Sequence, residues 1–162
     1  MNAVGSFGVR ACLVSMLVGL FAIPAVAQSV PFKGQATGQD VSVTFEATGI
    51  HIVAQASGTG TGLGRFVETL DYILSYDLVH FAGSAAITAA DGSQVFLDFE
   101  GEIPGFSEQV FPLQYSGTFV LIGGTGRFEG VAGSGTLNGI DYGGGLFSLG
   151  FSGFRTAGRP PA

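Results

Sequence analysis

Tryptophan is absent from this sequence, and sulfur-containing residues are confined to its start. The single cysteine is Cys12, and the two methionines are Met1 and Met16. A disulfide framework is therefore excluded, and the fold must be held together by its apolar core. Charged residues are also scarce, at 11% of the chain, with six basic against twelve acidic side chains. This acidic balance argues against nucleic acid as a partner, because nucleic acid selects patches rich in lysine and arginine.

The first 27 residues have the three parts of a secretory signal peptide. Arg10 is their only charge, an uncharged apolar run covers residues 11–23, and Pro24 ends that run. The Ala-Val-Ala sequence at 25–27 then places small residues at the two positions that a signal peptidase recognises. A membrane-spanning helix needs roughly 20 apolar residues, which is more than this run offers. We therefore predict cleavage after residue 27, a secreted or periplasmic protein, and no membrane association after cleavage.

Glycine dominates the rest of the chain, which contains 25 of the 28 glycines. Glycine is unfavourable inside helices, and the phenylalanines, valines and threonines between the glycines suit strands. No stretch carries an apolar stripe of helical period, whereas short alternating runs bounded by turn residues recur. We predict about eight strands, at residues 32–36, 41–47, 50–59, 64–74, 80–89, 94–102, 112–122 and 128–137, and a last strand at 144–154 that closes the sheet.

Short hairpins without crossover helices predict an all-β domain, either an antiparallel sandwich or an up-and-down barrel. Glycines inside the strands favour the barrel, because closing a sheet requires bends and bulges. We therefore predict an antiparallel eight-stranded β-barrel over residues 28–155, followed by a flexible tail at 156–162. Gly-Arg-Phe occurs at 64–66 and again at 126–128, which suits either equivalent corners of one barrel or an old duplication.

The stretch at 115–135 contains the run Gly-Gly-Thr-Gly-Arg-Phe at 123–128. This stretch resembles the late strand pair of the allene oxide cyclase and dirigent barrels, and residues 60–66 resemble small bacterial secreted proteins that share the run. The resemblance implies an eight-stranded antiparallel barrel that is often trimeric in the plant members, so we expect a homo-oligomer, either a trimer or a dimer. The cavity residues of the plant enzymes have no position-by-position match here, so the resemblance implies a fold and not an activity.

Five polar side chains are candidate ligand-binding residues. Glu46, Glu68 and Tyr115 are single polar groups in apolar strands, and each would line the barrel interior if it points inward. Arg65 and Arg127 each follow a glycine turn. Their guanidinium groups are suited either to capturing an anion inside the barrel or to tying down loop carbonyls and an acidic neighbour.

Other chemistries find little support in the sequence. The glycine-rich run at 123–126 lacks the lysine and the following helix of a phosphate-binding loop. His51 and His80 lie on different predicted strands with no cysteine nearby, so we predict neither a metal nor a cofactor. No serine lies in a Gly-x-Ser-x-Gly elbow. One face of the sixth predicted strand carries three carboxylates, Asp98, Glu100 and Glu102. They could bind calcium, provide acid–base catalysis or form the solvent-exposed face of the strand.

The missing catalytic constellation favours a non-catalytic binding or structural module. The alternative is a cyclase- or dirigent-like protein that acts on a hydrophobic small molecule in the barrel cavity. Thirteen phenylalanines lie beyond the leader. They either line such a pocket or fill the interior, because an eight-stranded barrel is just wide enough for its own side chains.

Overall fold

The computed structural model describes residues 29–104 and 110–156, in which eight antiparallel strands form a closed barrel. Each strand pairs with its neighbours in sequence, and the last strand pairs with the first. The predicted fold class is confirmed. The strands are β1 (Ser29–Glu46), β2 (Gly49–Thr61), β3 (Gly64–Leu74), β4 (His80–Ala89), β5 (Gln94–Glu102), β6 (Leu113–Gly124), β7 (Gly133–Gly143) and β8 (Leu146–Thr156).

Two predicted segments fall largely outside these residues. The predicted signal peptide at 1–27 lies outside the described residues, as does the predicted tail except for Thr156, which ends β8. Within the two described ranges, no helix is long and apolar enough to cross a membrane.

Side chains alternate between the barrel interior and its outer wall along each strand, as the period of a strand requires. On β3, Phe66, Glu68 and Leu70 are buried, whereas Val67 and Thr69 are exposed between them. The alternation therefore places a carboxyl group, that of Glu68, among the apolar side chains of the interior.

Glycines of one strand lie directly opposite aromatic residues of the next. A Cβ atom added at Gly34, for example, would overlap with the ring of Phe151. The barrel can hold so many rings because these glycines leave room for them, which explains why the sequence is rich in both residue types. The directly opposed pairs are Gly34 with Phe151, Gly38 with Phe147, Gly101 with Phe81, Gly135 with Phe119 and Gly139 with Tyr115.

β1 is one long strand, so the prediction of separate strands at 32–36 and 41–47 was wrong. Gly38 and Gln39 do not form a turn, because they pair with β2 on one side and with β8 on the other. The chain instead bends at a β-bulge between Asp40 and Ser42, which adds a residue without ending the strand. Past Gln39 the pairing with β8 stops, and the end of β1 pairs with β2 alone.

The prediction of a strand at 128–137 was wrong in its first half. Residues Gly126–Phe128 form a short 3-10 helix, and β7 begins only at Gly133. Gly126 and Gly130 have φ angles of 59° and 69°, a conformation that glycine adopts without steric cost. These turns bring Phe128 across the end of the barrel, where its side chain is only 1% exposed.

The two ends of the barrel differ. At the plugged end, which carries the β2–β3, β4–β5 and β6–β7 connections, Leu63, Phe128 and Val131 are buried and close the interior. The opposite end carries the other four connections between strands. We call it the cavity end, because a cavity in the interior reaches it beside Asp40 and Leu146.

Candidate functional site

A cavity of about 80 Å³ lies inside the barrel toward the cavity end. Its walls combine apolar and aromatic side chains with five polar groups. The apolar part includes Leu70, Leu97, Phe99, Phe119 and Phe147, and the polar part consists of Asp40, Glu68, Tyr72, Tyr115 and Asp141. Convergent polar groups in an otherwise apolar cavity are typical of small-molecule sites.

Glu68 is the most deeply buried of the polar groups. It lies in the middle of β3, its side chain is 4% exposed, and its Oε2 atom has no hydrogen-bond partner among the described residues. Burial without a cation raises the pKa of Glu68 from its ordinary 4.5 to about 7, because the charged form loses its hydration. The carboxyl group is therefore largely protonated below neutral pH and can act as a hydrogen-bond donor as well as an acceptor.

Asp40 and Asp141 lie on β1 and β7 at the mouth of the cavity. Burial, and secondarily the negative charge of Asp141, raise the pKa of Asp40 to about 6. Asp141 accepts a hydrogen bond from the backbone N–H of Gly143 at 2.7 Å, and the N–H of Asp40 donates to the carbonyl of Gly145 at 2.8 Å. The β7–β8 turn thus positions the carboxyl group of Asp141 and the backbone of Asp40.

Two tyrosines bring phenol groups to the same cavity. Tyr115 donates a hydrogen bond to the carbonyl of Ser148 at 2.7 Å. Burial is the main reason why the pKa values of Tyr72 and Tyr115 are raised well above the ordinary 10, and the charge of Glu68 adds to the effect at Tyr115. Both phenols therefore stay neutral at physiological pH and are available only as neutral hydrogen-bonding groups.

The structure brings two of the five predicted site residues together. Glu68 and Tyr115 both line the cavity. Glu46 lies at the tip of the β1–β2 hairpin, where its carboxylate contacts His51 at 3.2 Å. Arg65 lies exposed at the start of β3, opposite Thr59 of β2 and near the plugged end.

Arg127 lies at the plugged end, where it connects two other loops through its guanidinium group. It donates a hydrogen bond to the carbonyl of Leu63 at 3.0 Å and forms an ion pair with Asp91 at 3.4 Å. Its guanidinium also lies 4.8 Å from the centre of the Phe128 ring, and that of Arg155 lies 5.4 Å from it. These are the partners expected of the structural alternative, a loop carbonyl and an acidic neighbour.

Three cavity residues were missed by sequence reasoning: Asp40, Tyr72 and Asp141. Asp40 lies an even number of residues after the buried Phe32 and Ala36. Alternation along a strand that continues through Gly38 therefore places Asp40 inside, whereas the predicted strand ends at residue 36. Asp141 lies beyond the predicted strand end at 137 and within β7. Tyr72 was included in a predicted strand, but nothing in one sequence showed which face of that strand is inside.

Charge is unevenly distributed along the barrel axis. The four basic side chains of the described residues, Lys33, Arg65, Arg127 and Arg155, lie in the halves of their strands or loops that approach the plugged end. Among the described residues that line the cavity, three carry a carboxyl group and none is basic. No group of three or more His, Cys, Asp or Glu side chains in the described ranges is placed to hold a metal ion.

A solved structure of a pterocarpan synthase dirigent protein has the same architecture. The two chains are 13% identical in sequence, the similarity covers 83% of this chain and 88% of that one, and the TM-score is 0.53. This chain has a dirigent-like barrel fold. The predicted resemblance is thereby confirmed at the level of the fold. No protein-family model matches the sequence, and a search of curated proteins finds no match either.

Proposed function

We propose that this dirigent-like barrel binds a small, neutral, mainly apolar molecule that carries a hydroxyl group. The observation that carries the proposal is the Glu68 carboxyl group, which is buried in an aromatic-walled cavity with an oxygen atom that has no partner among the described residues. A buried polar atom without a partner is costly. A ligand hydroxyl that donates to it would remove that cost.

The size of the cavity limits what enters it. Pockets for drug-sized ligands usually measure about 300–1,000 Å³, whereas this cavity measures about 80 Å³. We therefore propose that one polar end or one ring of the ligand enters the barrel. The remainder then lies at the mouth, beside the exposed side chain of Leu146.

The charge of the site selects among ligands of similar shape. Among the described residues, Asp40, Glu68 and Asp141 line the cavity and no basic side chain does, so an anionic ligand would lose its hydration there without gaining a cationic partner. Neutral phenols and alcohols should bind better than the corresponding carboxylates.

Binding of 2-naphthol, followed by its own fluorescence, tests this proposal. We expect 2-naphthol to bind more tightly than 2-naphthoate. We expect Glu68→Leu to weaken 2-naphthol binding by about 5- to 30-fold, which corresponds to one lost hydrogen bond of about 1–2 kcal/mol. The matched control is Glu100→Leu, because Glu100 is exposed on the outer face of β5. Equal affinities of the Glu68 and Glu100 variants, or preferred binding of the carboxylate, would contradict the proposal.

Asp40 supports a second candidate, catalysis by proton transfer to a bound molecule. A carboxyl group with a pKa of about 6 beside a second carboxyl group is suited to act as a general acid or base near neutral pH. Deuterium uptake by 2-tetralone in D₂O measures such catalysis. We expect wild-type protein to accelerate the uptake, Asp40→Asn to lose the acceleration, and Asp98→Asn on the outer wall to keep it. No acceleration by the wild-type protein would leave the barrel a binding module.

We further propose that the protein is exported and acts outside the cytoplasm. The support is the N-terminal sequence, in which Arg10 precedes an apolar run that ends in Ala-Val-Ala at 25–27. N-terminal sequencing of exported protein should begin at Gln28. A sequence that begins at Met1 would contradict the proposal.

A further inference from the structure

The end of β1 has a strand partner on one side only. From Ser42 to Glu46 it pairs with β2, but the pairing between β1 and β8 stops at Gln39. Among the described residues, no strand pairs with the other edge of this segment. An unpaired edge presents backbone N–H and C=O groups that can hydrogen-bond to a further strand. We call residues 41–46 the free edge.

The free edge is apolar on one face and uncharged until its last residue. Val41, Val43 and Phe45 are exposed by 57%, 52% and 73%, and the intervening residues are Ser42 and Thr44. Proteins usually protect such an edge with lysine, with proline or with a covering loop. The sequence of this segment contains neither lysine nor proline.

We propose that the free edge pairs with the same edge of a second copy of this chain, antiparallel and about a two-fold axis at Val43. In that register Val43 lies opposite Val43 of the second copy, and Val41 lies opposite Phe45. Ser42 lies opposite Thr44. On one face of the strand pair, apolar side chains of the two copies contact each other. On the other face, the hydroxyl groups of Ser42 and Thr44 lie opposite each other. Both kinds of cross-strand pair are favourable.

The contacts at both ends of the segment limit the pairing to residues 41–45. The backbone N–H of Asp40 already donates to the carbonyl of Gly145, and the carbonyl of Glu46 accepts from the hydroxyl of Tyr76. No charged side chain lies within residues 41–45; the acidic residues of this register, Asp40 and Glu46, fall just beyond the two ends of the paired stretch. This matters in an acidic protein, whose net charge otherwise opposes self-association.

Charge substitution tests the interface. Val43→Lys would place two ammonium groups opposite each other at the two-fold axis, about 5 Å apart at their Cβ atoms. The matched control is Val120→Lys, because Val120 is 54% exposed but lies on β6 with strand partners on both sides. Sedimentation velocity from about 1 µM to about 1 mM measures the oligomeric state, since a strand pair this small should associate weakly.

We expect the wild-type protein and Val120→Lys to form a dimer as the concentration rises, and Val43→Lys to stay monomeric. Circular dichroism checks that both variants are folded. A wild-type protein that stays monomeric throughout would overturn the proposal. So would an oligomer that survives Val43→Lys, because that result would place the interface on another surface.

Disulfide formation tests the register and does not depend on Val43→Lys folding. In a Cys12→Ser background, Val43→Cys would place two thiols opposite each other on the axis, within reach of a disulfide. Mild oxidation should cross-link Val43→Cys at least tenfold faster than Val120→Cys. Equal rates would mean that only random collisions join the chains, and the proposal would then be wrong.

Discussion

Replacing Glu68 by glutamine should make the protein more stable at alkaline pH and leave its stability at acidic pH nearly unchanged. In the unfolded chain this carboxyl group ionises near pH 4.5, but burial raises its pKa in the folded state to about 7. As the pH rises through this interval, the unfolded state releases a proton that the folded state retains, and folding becomes less favourable. Glutamine has almost the same shape and cannot ionise.

The magnitude follows from the difference in pKa. One pKa unit corresponds to about 1.4 kcal/mol, and the interval from 4.5 to about 7 therefore corresponds to about 3 kcal/mol of unfolding free energy. Wild-type protein should lose about this amount between pH 4.5 and pH 8 through Glu68 alone. Asp40 and the histidines add their own pH dependence, but they do so equally in both proteins, so the difference between the two isolates Glu68.

Urea unfolding followed by circular dichroism at pH 4.5, 6 and 8 measures this difference. Far-ultraviolet circular dichroism is the better probe because the chain has no tryptophan. The control is Glu100→Gln, since Glu100 is exposed on the outer wall and its replacement should change stability little at any of these pH values. The reasoning is refuted if Glu68→Gln and wild type lose stability in parallel from pH 4.5 to pH 8.

Three further predictions concern the plug, the interior pairs and the hairpin tip. Phe128→Ala should lower the unfolding free energy by about 3–5 kcal/mol, whereas Phe154→Ala on the outer wall should cost less than about 1 kcal/mol; a similar loss for both would contradict the role of Phe128 as a plug. Gly34→Ala should cost about 1–3 kcal/mol by overpacking, and Phe151→Leu should relieve much of that cost; strict additivity in the double-mutant cycle would argue against the pair. His51 contacts Asp71 at 2.7 Å and Glu46 at 3.2 Å, and the hydrogen bond to Asp71 is the main reason why its pKa lies above 6.5. The stabilisation from His51 should therefore be complete below pH 6.5 and fade as the pH rises through the raised pKa, and an NMR titration that finds an ordinary or lower pKa would contradict this.

Much of the fold could be predicted because its determinants are local. The strands β3, β4 and β5 begin and end at the predicted residues. Gly92, which has a positive φ, marks the turn that joins β4 to β5, and alternating apolar and polar side chains mark the strands themselves. The barrel also followed from local features, because glycines within strands are needed to bend a closed sheet. β1 could not be read in the same way. Whether Gly38 ends a strand or lies opposite Phe147 depends on β8, which is more than 100 residues away in the chain.

The candidate site was harder to predict, because inward and outward faces look alike in one sequence. Glu68 and Tyr115 were singled out as polar residues in apolar strands, and both line the cavity. Glu46 met the same criterion, but the β-bulge at Asp40 precedes it and shifts the alternation by one residue. Asp40 and Asp141 lie outside the predicted strands, so the alternation of side chains assigned neither of them to a face.

Because glycines lie opposite aromatic rings inside the barrel, substitutions of those rings can change the width of the interior. Strand number and stagger set the outer dimensions of a barrel, but here the free space inside depends on which rings are present. Phe147 lies against Gly38 at the edge of the cavity, and a smaller residue in its place would widen the entrance without moving a strand. Single substitutions could thus let the same backbone bind ligands of different sizes, while the side chains that close the plugged end stay unchanged.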